Sequence, residues 1–150
     1  VVGLGLRAQI VCIAAGGSTE QAGTRVHTGV ARRVRDDALG HRLPESFPFV
    51  SFMRDRVVLP EDCEILAVDD EDQPVVFSFG PDVICMTCHP GTGPKMLRAL
   101  AAEVRAGEEE LADELAFIDR HHAEMAVALD AMMHGIAAAT GWLVPDTASI

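Results

Sequence analysis

The densest chemistry in this chain lies in Val83-Ile84-Cys85-Met86-Thr87-Cys88-His89-Pro90-Gly91. Two thiols and an imidazole within five residues can in principle hold a haem or a metal ion. Cys85-x-x-Cys88-His89 fits the c-type haem attachment pattern, and paired thiols suit zinc. Either ligand needs both thiols on one side of the backbone. The apolar Val83-Ile84 before the thiols and the His-Pro after them read as a strand rather than a helix. In a strand, residues three apart point to opposite faces. A haem also needs an oxidising, export-side setting, and no secretory signal is visible in the sequence. The pattern is therefore expected to be a coincidence within a strand, with no metal and no cofactor.

A second group of candidates is polar. Asp69-Asp70-Glu71-Asp72 lacks the ligand spacing of a calcium loop and reads as a solvated hairpin turn. His121, His122 and His134 fall in a helical region without a third ligand to complete a metal set, and read as exposed or capping residues. Glu108, Glu109, Glu110 and Asp113 form an acidic helix start, which the helix dipole favours. Cys12 lies in an apolar helix and reads as core. With Cys63, Cys85 and Cys88 it makes four cysteines, expected to be free thiols in a reducing compartment.

The elements that must position these residues follow from periodicity. Val1 to Gly5 reads as a strand. Leu6 to Ala15 reads as a helix with an apolar face at Leu6, Ile10, Ile13 and Ala14, closed by Gly16-Gly17. Residues 18 to 24 read as a loop and Arg25 to Val34 as one strand, or two broken at Gly29. Asp36 to Pro48 is expected to be irregular, and Phe49 to Leu59 a strand-loop passage ending at Pro60. Three short strands follow, at Glu64 to Val68, Pro74 to Phe79 and Asp82 to Cys88. Pro94 opens a helical region. One apolar stripe runs through Leu97, Leu100, Ala101 and Val104 to a break at Gly107. Leu111, Leu115, Ile118, Met125, Leu129, Met132 and Ile136 continue at helical spacing until Gly141 and Pro145.

Two of these segments together carry a resemblance. Gly3-Leu4-Gly5-Leu6-Arg7-Ala8-Gln9 and His89-Pro90-Gly91 resemble the class I glutamine amidotransferase domain, in its stand-alone, GMP-synthase-like form. There a Gly-x-Cys-x-Gly-x-Gln turn supplies the nucleophile, and a later His-Pro-Glu supplies the base and its orienting acid. Here Gly5 stands at the cysteine position, Arg7 at the second glycine and Gly91 at the glutamate. Gly3, Gln9, His89 and Pro90 match. Between the motifs, Ser51-Phe52-Met53-Arg54-Asp55-Arg56-Val57-Val58-Leu59-Pro60 resembles the family passage of His, any residue, Asp, then Val and Leu-Pro, with Met53 where the family often has His. Glu64 to Asp69 and Pro74 to Phe77 continue the match, which spans about residues 1 to 100.

The chemistry of the missing groups sets the functional expectation. A nucleophile elbow is a sharp strand-to-helix turn in a strained conformation, kept tight by small neighbours. Its cysteine attacks as a thiolate, activated by histidine and the helix end. Gly5 keeps the turn's freedom but offers no nucleophile. Arg7 is expected either to point outward or to occupy the space of the substrate. His89 is the retained base, and Gly91 cannot orient its ring. Cys12 lies about two turns beyond Gly5, too far to replace the thiol.

The resemblance implies an α/β fold, a partial flavodoxin-like amidotransferase sheet with a helical C-terminal tail. Residues 1–93 are expected to form the core, lacking the N-terminal strands, and residues 94–150 a helical segment of the same domain. The elbow strand is expected to be central, with the strand before His89 near it. The family reaction is hydrolysis of glutamine, or of a related γ-glutamyl small molecule, and it is expected to be lost here. The alternatives are a hydrolase with an unrecognised nucleophile, or the haem protein. The start at Val1, inside a strand, suggests a fragment whose unpaired edge invites self-association.

Composition fits this picture. The chain has 150 residues, 49% of them apolar, and a net charge of −11. That is one domain's worth of foldable chain. The charge speaks against nucleic acid and anionic membrane as partners, and no apolar run is long enough to span a bilayer. A cytoplasmic setting is expected. The basic residues are eleven arginines and the single Lys95, a bias given no functional weight.

Overall fold

A computed structural model describes residues 1–103 and 111–142. The elements run β1 (Val2–Leu4), α1 (Leu6–Ala14), β2 (Ser18–Arg33), β3 (Ser46–Val58), β4 (Glu64–Val68), β5 (Pro74–Ser78), β6 (Ile84–Met86), α2 (Pro94–Glu103) and α3 (Ala112–Ala139). The strands form one six-stranded sheet in the order β1-β6-β5-β4-β2-β3. Only β1 and β6 run parallel, with Val2 opposite Ile84 and Leu4 opposite Met86. The other pairs are antiparallel.

The alternation of side chains divides the core. On β6, Ile84 and Met86 face a cluster with Phe47, Phe49, Leu66 and Val76, which α3 covers through Ala128, Met132 and Ile136. Cys85 between them faces the other side, where α1 contributes Ala8 and Cys12 against Val57 and Phe77. A third cluster joins Val50 of β3 to Leu97 and Ala101 of α2 and to Leu115, Ile118 and Met125 of α3. Each of the larger fully buried side chains, such as Phe77 and Ile118, contributes about 1.5–3 kcal/mol through the water it excludes. Of the helical stripe expected from Leu97 through Ile136, the described residues are buried except Leu100 and Leu129, which are half-buried. Val104, Gly107, Glu108, Glu109, Glu110 and Pro145 lie outside the described residues.

Several expectations need correction. Residues 18 to 24 are not a loop: β2 begins at Ser18 and pairs with β3 from Val58 back to Ser46. Its polar, glycine-containing start is carried by the ribbon's hydrogen bonds, with a register shift between Gln21 and Arg25 near Gly23, whose φ is 84°. Gly29 does not break the strand. The irregular excursion is shorter than expected, since β3 starts at Ser46.

Helix α1 is turned the other way. Its buried residues are Ala8, Gln9 and Cys12, while Leu6, Ile10 and Ile13 are 68%, 58% and 53% exposed. Small side chains face the sheet because strand and helix approach too closely for large ones. Nor is β1 central. Among the described residues it pairs with β6 alone and forms one edge of the sheet, and Val1 and Leu4 are also exposed.

Candidate functional site

The turn from β1 to α1 has the conformation that an elbow demands. Gly5 is buried, with φ 55° and ψ −120°, a region that side-chain-bearing residues enter only under strain. Its N–H donates to the Met86 carbonyl at 2.9 Å, and its own carbonyl accepts from Ala8 N–H at 3.0 Å. The turn is therefore locked to β6 on one side and to the first turn of α1 on the other. A β-carbon on Gly3 would sit 3.1 Å from the Ala8 backbone, so the close approach of strand and helix falls between Gly3 and Ala8. Sequence spacing placed that role at Arg7. Arg7 is instead exposed, the outward of its two expected positions. Gln9 is buried and donates from Nε2 to the Asp55 carbonyl at 2.8 Å, tying α1 to β3.

His89 follows β6 and meets Gly5 from the neighbouring strand. Its N–H donates to the Val50 carbonyl at 2.8 Å, and the Thr92 hydroxyl donates to its carbonyl at 2.8 Å. These bonds fix the His-Pro turn against β3. The imidazole then reaches across to the elbow. A β-carbon built on Gly5 would lie 2.4 Å from His89 Nε2 and 2.9 Å from its Cε1, far inside van der Waals contact. The ring fills the space that a side chain at position 5 would need.

The other ring nitrogen has no support. His89 Nδ1 is buried and makes no hydrogen bond. His89 also lines a small, largely apolar cavity of about 10 Å³ between β3 and α3, with Cys88, Gly91, Met125 and Leu129. That is at most the room of one water. Burial holds the imidazole below its ordinary pKa, so the ring is neutral at neutral pH. Gly91 adopts φ 80°, and a β-carbon there would lie 3.0 Å from Leu129 Cδ2. Leu129 of α3 thus stands where a side chain at position 91 would leave the backbone.

The four cysteines are free. Cys85 and Cys88 point to opposite sides of the sheet, into separate core clusters. Burial pushes the Cys85 thiol up to about 11 and the Cys88 and Cys63 thiols to about 12. Cys12 is raised by the same cause. His122 and His134 are exposed and bond through Nδ1 to helical carbonyls of α3, those of Asp119 and Asp130. His121 pairs with Glu124 at 3.4 Å.

In sequence, no protein-family profile and no curated protein matches the chain. Solved structures do match it in shape. A glutamine amidotransferase from Thermotoga maritima superposes with a TM-score of 0.72 at 14% identity, over 93% of this chain and 61% of its own length. A glutamine amidotransferase from Methylobacillus flagellatus gives 0.68 at 13% identity, over 90% of this chain and 62% of that one. A candidate GMP synthase component from Thermoplasma acidophilum gives 0.62 at 13% identity, over 94% and 57%. The chain thus spans less than two thirds of the length of these structures. No helix among its described residues is long and apolar enough to cross a membrane. Over 93% of its length, the chain has the glutamine amidotransferase fold.

Proposed function

We propose that this chain is a class I glutamine amidotransferase-like domain that does not hydrolyse glutamine. One observation carries the reading: His89 Nε2 stands 2.4 Å from the place of a β-carbon on Gly5. The base is next to the nucleophile's position, as the family reaction needs, but no thiol or hydroxyl is there to be deprotonated. The unpartnered Nδ1 fits the loss of the orienting acid at Gly91. Without that partner the ring's tautomer is not fixed for proton transfer.

A replacement nucleophile among the cysteines draws no support. All four thiols are shifted towards the neutral form by burial, whereas the attacking species is the thiolate. The haem reading is equally unsupported, because Cys85 and Cys88 are buried in different core clusters. The ligand class that the resemblance implies is glutamine or a γ-glutamyl compound, and the helical segment 94–150 is read as part of the same domain as residues 1–93. A reducing, cytoplasmic setting agrees with the four free thiols.

The test is to incubate the purified chain with glutamine and follow glutamate and ammonia. The expected rate equals that of the buffer. Release that rises with protein concentration and is abolished by a glutamine-analogue alkylator would overturn the proposal.

A further inference from the structure

A second cluster of chemically capable side chains lies away from the elbow, where the β2–β3 ribbon meets the β4–β5 turn. Asp69 is 5% exposed. Its Oδ1 accepts from the N–H groups of Glu71 and Gln73 at 2.9 and 2.8 Å, which closes the turn. Its Oδ2 faces His27 Nε2 at 3.6 Å, too far for a hydrogen bond. His27 Nε2 is itself buried and makes no hydrogen bond. A buried imidazole nitrogen without a hydrogen bond thus faces a carboxylate oxygen of the buried Asp69 across a gap. Such groups are costly unless something satisfies them.

Asp70 completes the set. One ligand atom from each of His27, Asp69 and Asp70 lies within 4.8 Å of the other two. His27 and Asp69 also line a cavity of about 60 Å³, with Phe49, Ser51 and Thr87 among its walls. That volume has room for several waters. The Phe49 ring packs edge-on against the imidazole, centroids 5.3 Å apart, and holds it in place. The arginines on the cavity's rim each pair with a carboxylate, although Arg56 Nε is buried without a hydrogen bond. Arg25 and Arg56 both pair with Glu71, at 3.8 and 3.2 Å, and Arg54 pairs with Asp55.

We propose that His27, Asp69 and Asp70 bind one divalent transition-metal ion of the zinc class, with water from the cavity completing its coordination. Imidazole selects for this class over calcium or magnesium, which prefer all-oxygen sites. The spacing agrees. Ligands about 2.1 Å from a tetrahedral ion are about 3.4 Å apart, close to the 3.6 Å between Nε2 and Oδ2. Two carboxylates and a neutral imidazole would balance the ion's charge. Asp70 is exposed and free to close the remaining distance.

The test uses the full chain, stripped with chelator and titrated with Zn²⁺ by calorimetry and with Co²⁺ by visible absorption. The expected result is one saturable site, with ligand-field bands of low-symmetry cobalt and no thiolate charge-transfer band. His27→Ala should weaken Zn²⁺ binding at least about tenfold, as should Asp69→Asn, which keeps an Oδ1 acceptor for the turn. His27→Phe preserves the ring packed on Phe49, so it reports ligand loss even if the alanine variant unfolds. Asp113→Asn, on α3, should change nothing. Unchanged affinity in folded His27→Phe would overturn the site, as would thiolate bands. Binding at several equivalent sites would show only cations adsorbed to an acidic protein, with the same consequence.

Discussion

Gly5→Ala tests the elbow directly, because the substitution adds only the atom that the site has no room for. Gly5 has φ 55° and ψ −120°. Holding a side-chain-bearing residue there costs about 1–3 kcal/mol. The new β-carbon would also lie 2.4 Å from His89 Nε2, so the imidazole must swing away, at about 0.5–1.5 kcal/mol if it leaves its rotamer. Alanine returns about 0.4–1 kcal/mol by narrowing the unfolded ensemble. The net expectation is a destabilisation of about 2 kcal/mol, which for a chain of this length lowers Tm by about 4–8 °C. Urea denaturation of the parent, Gly5→Ala, His89→Ala and the double variant would measure it. In the His89→Ala background the ring's share vanishes, so the cost of Gly5→Ala should fall by about 1 kcal/mol. A neutral or stabilising Gly5→Ala would refute the strained turn. Strict additivity of the two substitutions would refute the claim that His89 fills the space of a side chain at position 5.

The remaining predictions concern the surroundings of that turn. Replacing Gly5→Cys, Arg7→Gly and Gly91→Glu together should yield little or no glutaminase activity, because Gly91 sits at φ 80° with Leu129 at 3.0 Å from its β-carbon position; strong ammonia release by the triple variant would contradict this. Burial depresses the His89 pKa from 6.5, so the unfolded chain binds the proton first and stability should fall as pH drops below about 6.5, levelling off below the folded pKa. His89→Gln should flatten that part of the urea-midpoint profile. Gly135→Ala would ordinarily help a helix by about 1 kcal/mol. Here its β-carbon would lie 2.7 Å from Leu39 Cβ, so the expected outcome is a loss of about 1–3 kcal/mol in chemical denaturation. The exposed Leu4, Leu6, Ile10 and Ile13 beside the β1 edge should drive concentration-dependent association in sedimentation velocity, reduced by Leu6→Glu with Ile10→Glu.

Much of the elbow was legible because its requirements are local. A tight strand-to-helix turn shows in the apolar run of Val1-Val2, in the glycines at 3 and 5, and in the helix that follows. The pairing of β1 with β6 was legible only through the resemblance, since nothing in residues 1–9 specifies a partner some eighty positions away. The facing of α1 was misread for a definite reason. Leu6, Ile10 and Ile13 make the stronger apolar stripe, but the face that packs is chosen by distance. Gly3 admits the Ala8 backbone to 3.1 Å of its β-carbon position, which leaves room for Ala8 and Cys12 and none for leucine. Residues 18 to 24 misled by composition, as their polar side chains say nothing about the backbone bonds that a long partner such as β3 can offer. His27 carried no sequence signal at all. It meets Asp69 only because β2 pairs with β4, Arg32 opposite Val68.

The departures at positions 5, 7 and 91 are not equivalent, and the geometry orders them. Arg7 is exposed, and its change costs the turn nothing because Ala8 supplies the close contact. Gly5 offers no nucleophilic side chain and fits the turn without strain, since the region near φ 55° is open to glycine. The space beside Gly5 is not open: the imidazole of His89 occupies it, as close packing favours. His89 Nδ1 is unpartnered, and Leu129 Cδ2 would lie 3.0 Å from a β-carbon at position 91. A cysteine placed at position 5 would therefore meet an imidazole that already fills its space and lacks a partner at Nδ1. A glutamate returned to position 91 would meet both a left-handed backbone and a leucine. A side chain at either position meets an occupied space, so single substitutions there should test as folding mutations before they test as catalytic ones.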